Sequence, residues 1–257
     1  MTLSIDINCD LGESFGTYIK GQDAKVMKYI TSANIACGYH AGDHNIMYET
    51  VKMAVENNIA IGAHPGFQDI IGFGRRELQI TPNEVYNLML YQMGALQSFA
   101  QVLGGKLHHV KPHGALYNMA AKDENIAEAI VRAVCDMDAK LILYGLSGSI
   151  LTRLGRQHGL QVAEEVFADR SYQKDGSLTP RSNPRALIQN DQEVAIRVIR
   201  MIREGKVLSL GGEDISIKAD SVCIHGDAPT TLAFVKILHT YLEQEDIHIE
   251  AIASNKR

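Results

Sequence analysis

Short apolar runs alternate along the chain with longer segments whose apolar side chains recur every three or four positions. The short runs are LSIDIN (3–8), ANIAC (33–37), IAIGA (59–63), LHHVK (107–111), LILYG (141–145), QVAEEV (161–166) and SVCIHG (221–226). Mainly apolar runs of this length predict strands covered on both faces. The segments between them carry helix punctuation. Thr81, Pro82 and Glu84 predict a capping box, and that helix stops at Gly104-Gly105. Asp123 is expected to cap ENIAEAIVRAVCDM, and Asp191 to cap QEVAIRVIRMIRE before Gly205. A last helix is expected after Asp227, with Pro229 early in it. Residues 65–80 and 169–190 read as long loops, which inside a compact domain are more often functional than idle. Residues 207–217 predict a hairpin turning at Gly211-Gly212. No repeat, low-complexity tract or linker divides the chain, so one domain over residues 1–257 is expected. Seven β/α units predict a parallel barrel, closed or nearly so; a doubly wound open sheet is the rival that periodicity does not separate from it.

Composition narrows the class. The 257 residues are 46% hydrophobic and 21% charged with a net charge of −5, which predicts a folded chain with a sizeable core. No basic cluster suits a nucleic-acid backbone, and no apolar run reaches membrane-spanning length. The N-terminus lacks the charged start and apolar core of a signal peptide, so a cytoplasmic location is expected. Cys9, Cys37, Cys135 and Cys223 show no CxxC spacing and read as free thiols of a reducing compartment. Cys9, Cys37 and Cys223 lie near polar clusters, which leaves open a nucleophilic role, although none has an activating pattern beside it.

The polar residues then fall in a telling place. Asp10 and Glu13 follow the first strand, His40, Asp43 and His44 the second, and His64 the third. Lys111 and His113 end the fourth, Ser147 and Ser149 follow the fifth, Glu165, Asp169 and Arg170 end the sixth, and His225 and Asp227 the seventh. In a parallel α/β architecture these carboxyl ends converge on one rim, where binding and catalysis occur. Polar βα loops account for part of this, and Ser147 and Ser149 read as a helix start. Five of the ten histidines, however, fall at these junctions. His108 and His109 read as packing residues within a strand, and His158, His239 and His248 as surface or helix positions. The four-residue spacing of His40 and His44 raises a metal pair, but also arises by chance; His44 beside a helix start would stay neutral. Lys111 and Arg170 could hold a carboxylate or phosphate, or make surface ion pairs. Asp10 and Glu13 fit an acid/base pair, a metal carboxylate, or charges favourable to a helix start. No P-loop occurs, and no GxGxxG follows a strand.

Seven longer segments, NCDLGES, ANIACGYHAGDH, AIGAHPGF, GFGRR, HVKPHGALYN, FADRSYQKDGSLTPR and IHGD, occur in this order from about residue 3 to the last helix. Together they resemble the LamB/YcsF family, the A subunits of bacterial ATP-dependent 5-oxoprolinases. The resemblance implies a seven-stranded β/α barrel like that of the glycoside hydrolase/deacetylase group. It also implies that 5-oxo-L-proline, ATP and water give L-glutamate, ADP and phosphate, with subunits B and C as partners and Mg²⁺ accompanying ATP. Matched onto its motifs, Asp10, His40, His113 and Asp227 are the expected catalytic residues. Glu13, His64, Lys111, Glu165, Asp169, Arg170 and His225 are the expected substrate ligands. The family usually has proline where this chain has His44, so His44 reads as a helix-start residue and the four-apart pair as a decoy. No protein-held metal is established by these residues. A self-sufficient metal-dependent hydrolase or deacetylase, and a non-catalytic substrate-presenting subunit, stand as alternatives.

Overall fold

The computed structural model describes residues 3–225 and 231–254. Asp227 and the start of the last helix expected around it lie outside these, and of His225 the backbone alone is described. The strands are β1 (Leu3–Leu11), β2 (Ser32–Ala36), β3 (Ala60–His64), β4 (Leu107–Val110), β5 (Ile142–Leu146), β6 (Gln161–Phe167), β7 (Lys206–Leu208), β8 (Asp214–Ser216), β9 (Ser221–His225) and β10 (Ile247–Ile249). The helices are α1 (Asp23–Val26), α2 (His44–Glu56), α3 (Pro82–Val102), α4 (Gly114–Ala120), α5 (Glu124–Asp138), α6 (Ile150–Gln157), α7 (Asp191–Glu204) and α8 (Thr231–Gln244). None of these helices is long and apolar enough to cross a membrane.

β1 through β6 pair in sequence, β6 pairs with β9, and β9 returns to β1 with Asp10 opposite His225. Every pairing in this ring is parallel, so the seven strands form a closed barrel and the open-sheet rival is excluded. β10 adds to the start of β1, pairing Leu3 with Ile247. β7 and β8 form the expected hairpin outside the barrel.

Helix ends follow local chemistry. Thr81 accepts from the Glu84 amide while Glu84 accepts from the Thr81 amide at 2.8 Å, closing the capping box of α3. Asp123 caps α5 as expected. At α7 the cap is Asn190 rather than Asp191: the Asn190 side chain reaches the amides of Gln192 and Glu193. Asp191 is instead the first helical residue, where its charge favours the helix dipole.

The strand alternation explains both layers of the core. Ile5, Ile7, Cys9 and Leu11 of β1 are buried in the apolar cluster between barrel and helices. Asp6, Asn8 and Asp10 belong to the other face, inside the barrel. There a hydrogen-bonded column replaces the usual aliphatic filling. At its base Asp6 accepts from Thr31 and Ser32 at 2.6 Å, from Tyr144 at 3.1 Å and from Ser221. Burial raises its pKa despite those hydroxyls. Above it Asn8 donates to Ser221 at 2.7 Å, and Asn34 donates to Asn8 at 2.7 Å and to Asp10 at 2.9 Å. His109 donates to Asn34 at 2.8 Å, its ring lying where a side chain at position 62 would stand. A Cβ on Gly62 would come within 2.0 Å of His109 Nε2. Gly62→Ala is therefore expected to cost roughly 1–3 kcal/mol or more by overpacking, read as a lowered midpoint in chemical denaturation.

Candidate active site

The top of this column is a buried cation. Lys111, directly after β4, has a nearly inaccessible side chain. Its ammonium lies 2.7 Å from Glu165 Oε1, 3.0 Å from Asp10 Oδ1, 3.1 Å from Asn8 Oδ1 and 3.1 Å from Cys223 Sγ. Burial works against that charge, yet Asp10, Cys223 and Glu165 outweigh it and hold the ammonium well above its ordinary range. Tyr117 of α4 donates to the other Glu165 oxygen at 2.6 Å. Glu165 is thus enclosed beneath Lys111 rather than on the open wall of the site.

Beside Asp10 sits a group of three buried histidines. His64 ends β3 and lies with Nε2 3.3 Å from Asp10 Oδ2. His113 Nδ1 is 2.9 Å from the same His64 nitrogen. The His40 ring stacks on His113 at 3.7 Å, with 5° between their planes. Burial first, and the neighbouring histidines next, push His40 and His113 well below the usual imidazole range. The loop over 65–80 roofs the group: Phe73 packs edge-on to His40 and His113, and its carbonyl accepts from His113 at 2.9 Å. Gly74 has φ +61°, and a Cβ there would stand 2.7 Å from the His40 Cβ, so this close roof needs glycine. Glu13 approaches from the β1 side, held by Lys20 at 2.9 Å, and Lys20 in turn lies 3.3 Å above the Phe73 ring. Burial and Asp10 raise the Glu13 pKa against the pull of Lys20.

Asp10, His64, Lys111 and His113 open onto a cavity of about 320 Å³, a size suited to a small ligand. Its far side is cationic: Arg75, Lys122, Arg170 and Arg181 line it, against Glu77. Arg170 donates to the Thr179 carbonyl at 2.6 Å, while its Nε is buried with no hydrogen-bond partner among the described residues. Burial, together with Arg181, lowers the Arg170 pKa to about 10.

The structure brings together Asp10, Glu13, His40, His64, Lys111, His113, Glu165 and Arg170. Asp169 is half-buried and does not line the cavity; its carbonyl accepts from Ile188 within the 169–190 loop. His44 opens α2 behind its cap Asp43, outside the histidine group, and Ser149 caps α6. His225 stands by its backbone at the end of β9, opposite Asp10. Burial raises the thiols of Cys9 and Cys223 well above their ordinary range, and that of Cys37 to about 12, which disfavours the thiolate at all three. Sequence reasoning misses Lys20, Phe73, Arg75, Tyr117, Lys122 and Arg181 as site residues. Arg75 lies in the quoted GFGRR and Arg181 in SLTPR, which is the signal that could have found those two.

The LamB/YcsF family profile matches residues 5–257. This chain belongs to the LamB/YcsF family. It is 59% identical over 250 residues to the 5-oxoprolinase A subunit of Oceanobacillus iheyensis, covering 97% of both chains. The crystal structure of the lactam utilization protein from Thermus thermophilus superposes with a TM-score of 0.92 at 42% identity, over 97% of this chain and 100% of that one. A more distant likeness, TM-score 0.52 at 11% identity over 100% and 94% of the two chains, is to the catalytic domain of a peptidoglycan N-acetylglucosamine deacetylase from Eubacterium rectale. At that identity the likeness concerns the fold alone.

Proposed function

We propose that this chain is the A component of an ATP-dependent 5-oxoprolinase, opening the lactam of 5-oxo-L-proline to L-glutamate together with subunits B and C. The observation that carries the reading is the small rim cavity, with an acid/base group on one wall and a cationic cluster on the other, in a chain so close to a 5-oxoprolinase component. A lactam amide resists hydrolysis; ATP, with Mg²⁺, would supply the activation by taking up the carbonyl oxygen as a phosphate ester. The chain has no glycine-rich phosphate loop, so the cationic wall is the part that suits an anion.

The geometry divides the work among the residues. The three protons of the Lys111 ammonium are engaged by Asp10, Asn8 and Cys223, with Glu165 Oε1 as a further ion partner at 2.7 Å, so Lys111 positions Asp10 instead of holding the substrate carboxylate. Arg170, with an unsatisfied buried Nε, takes that carboxylate or the phosphoryl charge, supported by Arg75 and Arg181. Asp10 Oδ2, with His64 and His113 beside it, exchanges protons with the attacking water and the departing ring nitrogen. Glu165 braces Lys111, and His40 and Glu13 complete the histidine group. Asp227 and His225 keep their proposed roles from the IHGD motif alone.

Glutamate and ADP release from 5-oxoproline and MgATP tests the reading, with this chain alone and with subunits B and C added. Coupled release in the full mixture only is expected. No release in any mixture of folded proteins, or ATP-independent release by this chain alone, would overturn it. Arg170→Lys keeps the charge but loses the planar Nε donor. A charge-assisted hydrogen bond is worth ~1.5–3 kcal/mol, so KM for 5-oxoproline should rise roughly 10- to 100-fold, with kcat less affected. An unchanged KM would move the anion contact elsewhere on the wall.

A further inference from the structure

The histidine group has hydrogen bonds that do not close. His64 Nδ1 lies 2.7 Å from the Lys111 carbonyl oxygen, and His113 Nε2 lies 2.9 Å from that of Phe73. A carbonyl only accepts, so each of those nitrogens carries the hydrogen. In a neutral imidazole the other nitrogen is then a bare lone pair. Those two lone pairs, on His64 Nε2 and His113 Nδ1, face one another across 2.9 Å. Two acceptors in contact repel unless a positive charge joins them. Next to them both nitrogens of His40 are buried with no hydrogen-bond partner among the described residues, a cost of ~1–3 kcal/mol for each polar group left unmade.

We infer that His64, His113, His40 and Glu13 form a binding site for one divalent first-row transition-metal ion. Their four donor atoms lie within 4.8 Å of one another. Adjacent donors at right angles about an ion with bonds of ~2.1 Å stand about 3 Å apart. The 2.9 Å between His64 Nε2 and His113 Nδ1 matches such a pair. Each of these two rings is also anchored through its other N–H to a backbone carbonyl, the arrangement that orients ligating histidines. Glu13 Oε2 is taken by Lys20, leaving its other oxygen for the ion. Asp10 Oδ2, 3.3 Å from His64 Nε2, adds a second negative charge beside it. Imidazole with one or two carboxylates suits Zn²⁺, Co²⁺, Mn²⁺ or Fe²⁺ better than Mg²⁺ or Ca²⁺. The stacked His40 is parallel to His113, so an ion in the plane of one ring lies off the plane of the other. His40 must tilt to ligate; no hydrogen bond from the described residues holds it back.

The site stands apart from the lactam reading, because the test uses metal without substrate. The full chain, free of any histidine tag and stripped with chelator, is titrated with Co²⁺, and in parallel runs with Zn²⁺ and Mn²⁺. One ion per chain is expected, with visible Co²⁺ absorption bands. His64→Asn and His113→Asn should each weaken binding ~100-fold or more, and His40→Asn by about tenfold, while His44→Asn leaves it unchanged. Circular dichroism checks that each variant is folded. Failure of the wild-type chain to take up any of the three ions stoichiometrically would overturn the site, and needs no variant. Uptake that persists in a folded His113→Asn chain would overturn it equally.

Discussion

Lys111→Met is expected to abolish turnover and to cost ~3–5 kcal/mol of stability, the usual penalty for stranding a buried charge. In the native chain one ammonium serves two carboxylates, of which Glu165 is wholly inaccessible. Methionine fills the volume and leaves Asp10 and Glu165 facing each other without a cation. The pH dependence separates this account from a simple packing loss. The folded-state pKa of Lys111 is raised, so its contribution is present at every pH below the unfolded value of ~10.4 and is lost only as pH rises through the folded one. In the variant the two carboxylates face each other without a cation, and taking up a proton relieves their repulsion in the folded chain alone. They bind more protons folded than unfolded, so the variant gains stability as pH falls from 7 towards 5, and its deficit narrows there. Denaturant unfolding of both chains at pH 7.5 and pH 5 measures this. A deficit that is absent, or constant across that range, would remove Lys111 from the centre of the site's electrostatics.

Asp10→Asn should lower kcat by ~10²- to 10⁴-fold while leaving the fold and KM close to wild type. The shape is conserved. Asn34 and Lys111 both donate to Asp10 Oδ1, and an amide oxygen can accept from both. The new NH₂ group would take the place of Oδ2, facing His64 Nε2 at 3.3 Å. The capacity to take a proton is lost, together with one of the two negative charges beside Lys111, of which Glu165 keeps the other. Turnover of the complete three-component mixture measures the effect, with a thermal melt as the structural control. Activity within a few-fold of wild type would assign proton transfer to another group of the rim.

The barrel was legible because its seven strands sit between helices with clear ends, and the rim because parallel strands send their carboxyl ends to one side. Its closure was not, since local periodicity says nothing about whether the last strand meets the first. Nor was the polar interior. IDINCDL alternates strictly, a pattern that normally marks a strand with one solvated face; here the polar face points into the barrel, where Asn8 and Asp6 find Ser221 over two hundred residues away. The His40–His44 spacing misleads because i and i+4 share a face only within one helix. His40 precedes the cap Asp43, and His44 follows it. Arg75, Arg181 and Phe73 escaped attention because they lie in long loops, whose path back over the rim is fixed by tertiary contacts rather than by any period. Asn190 and Asp191 are both good caps, and sequence alone does not choose between neighbours.

The seam between β1 and β9 bears on how the protein is made. Strand β1 leaves the ribosome more than two hundred residues ahead of its partner, which begins at Ser221. Until then Asp6 and Asn8 have no Ser221 to bond, and the ring of strands holds two unpaired edges. Closure therefore waits until β9 has been made, and by contact order it is a slow step. Nascent chains stalled before residue 221 are the stage at which this protein would depend most on chaperones, and at which edge-to-edge association would claim it.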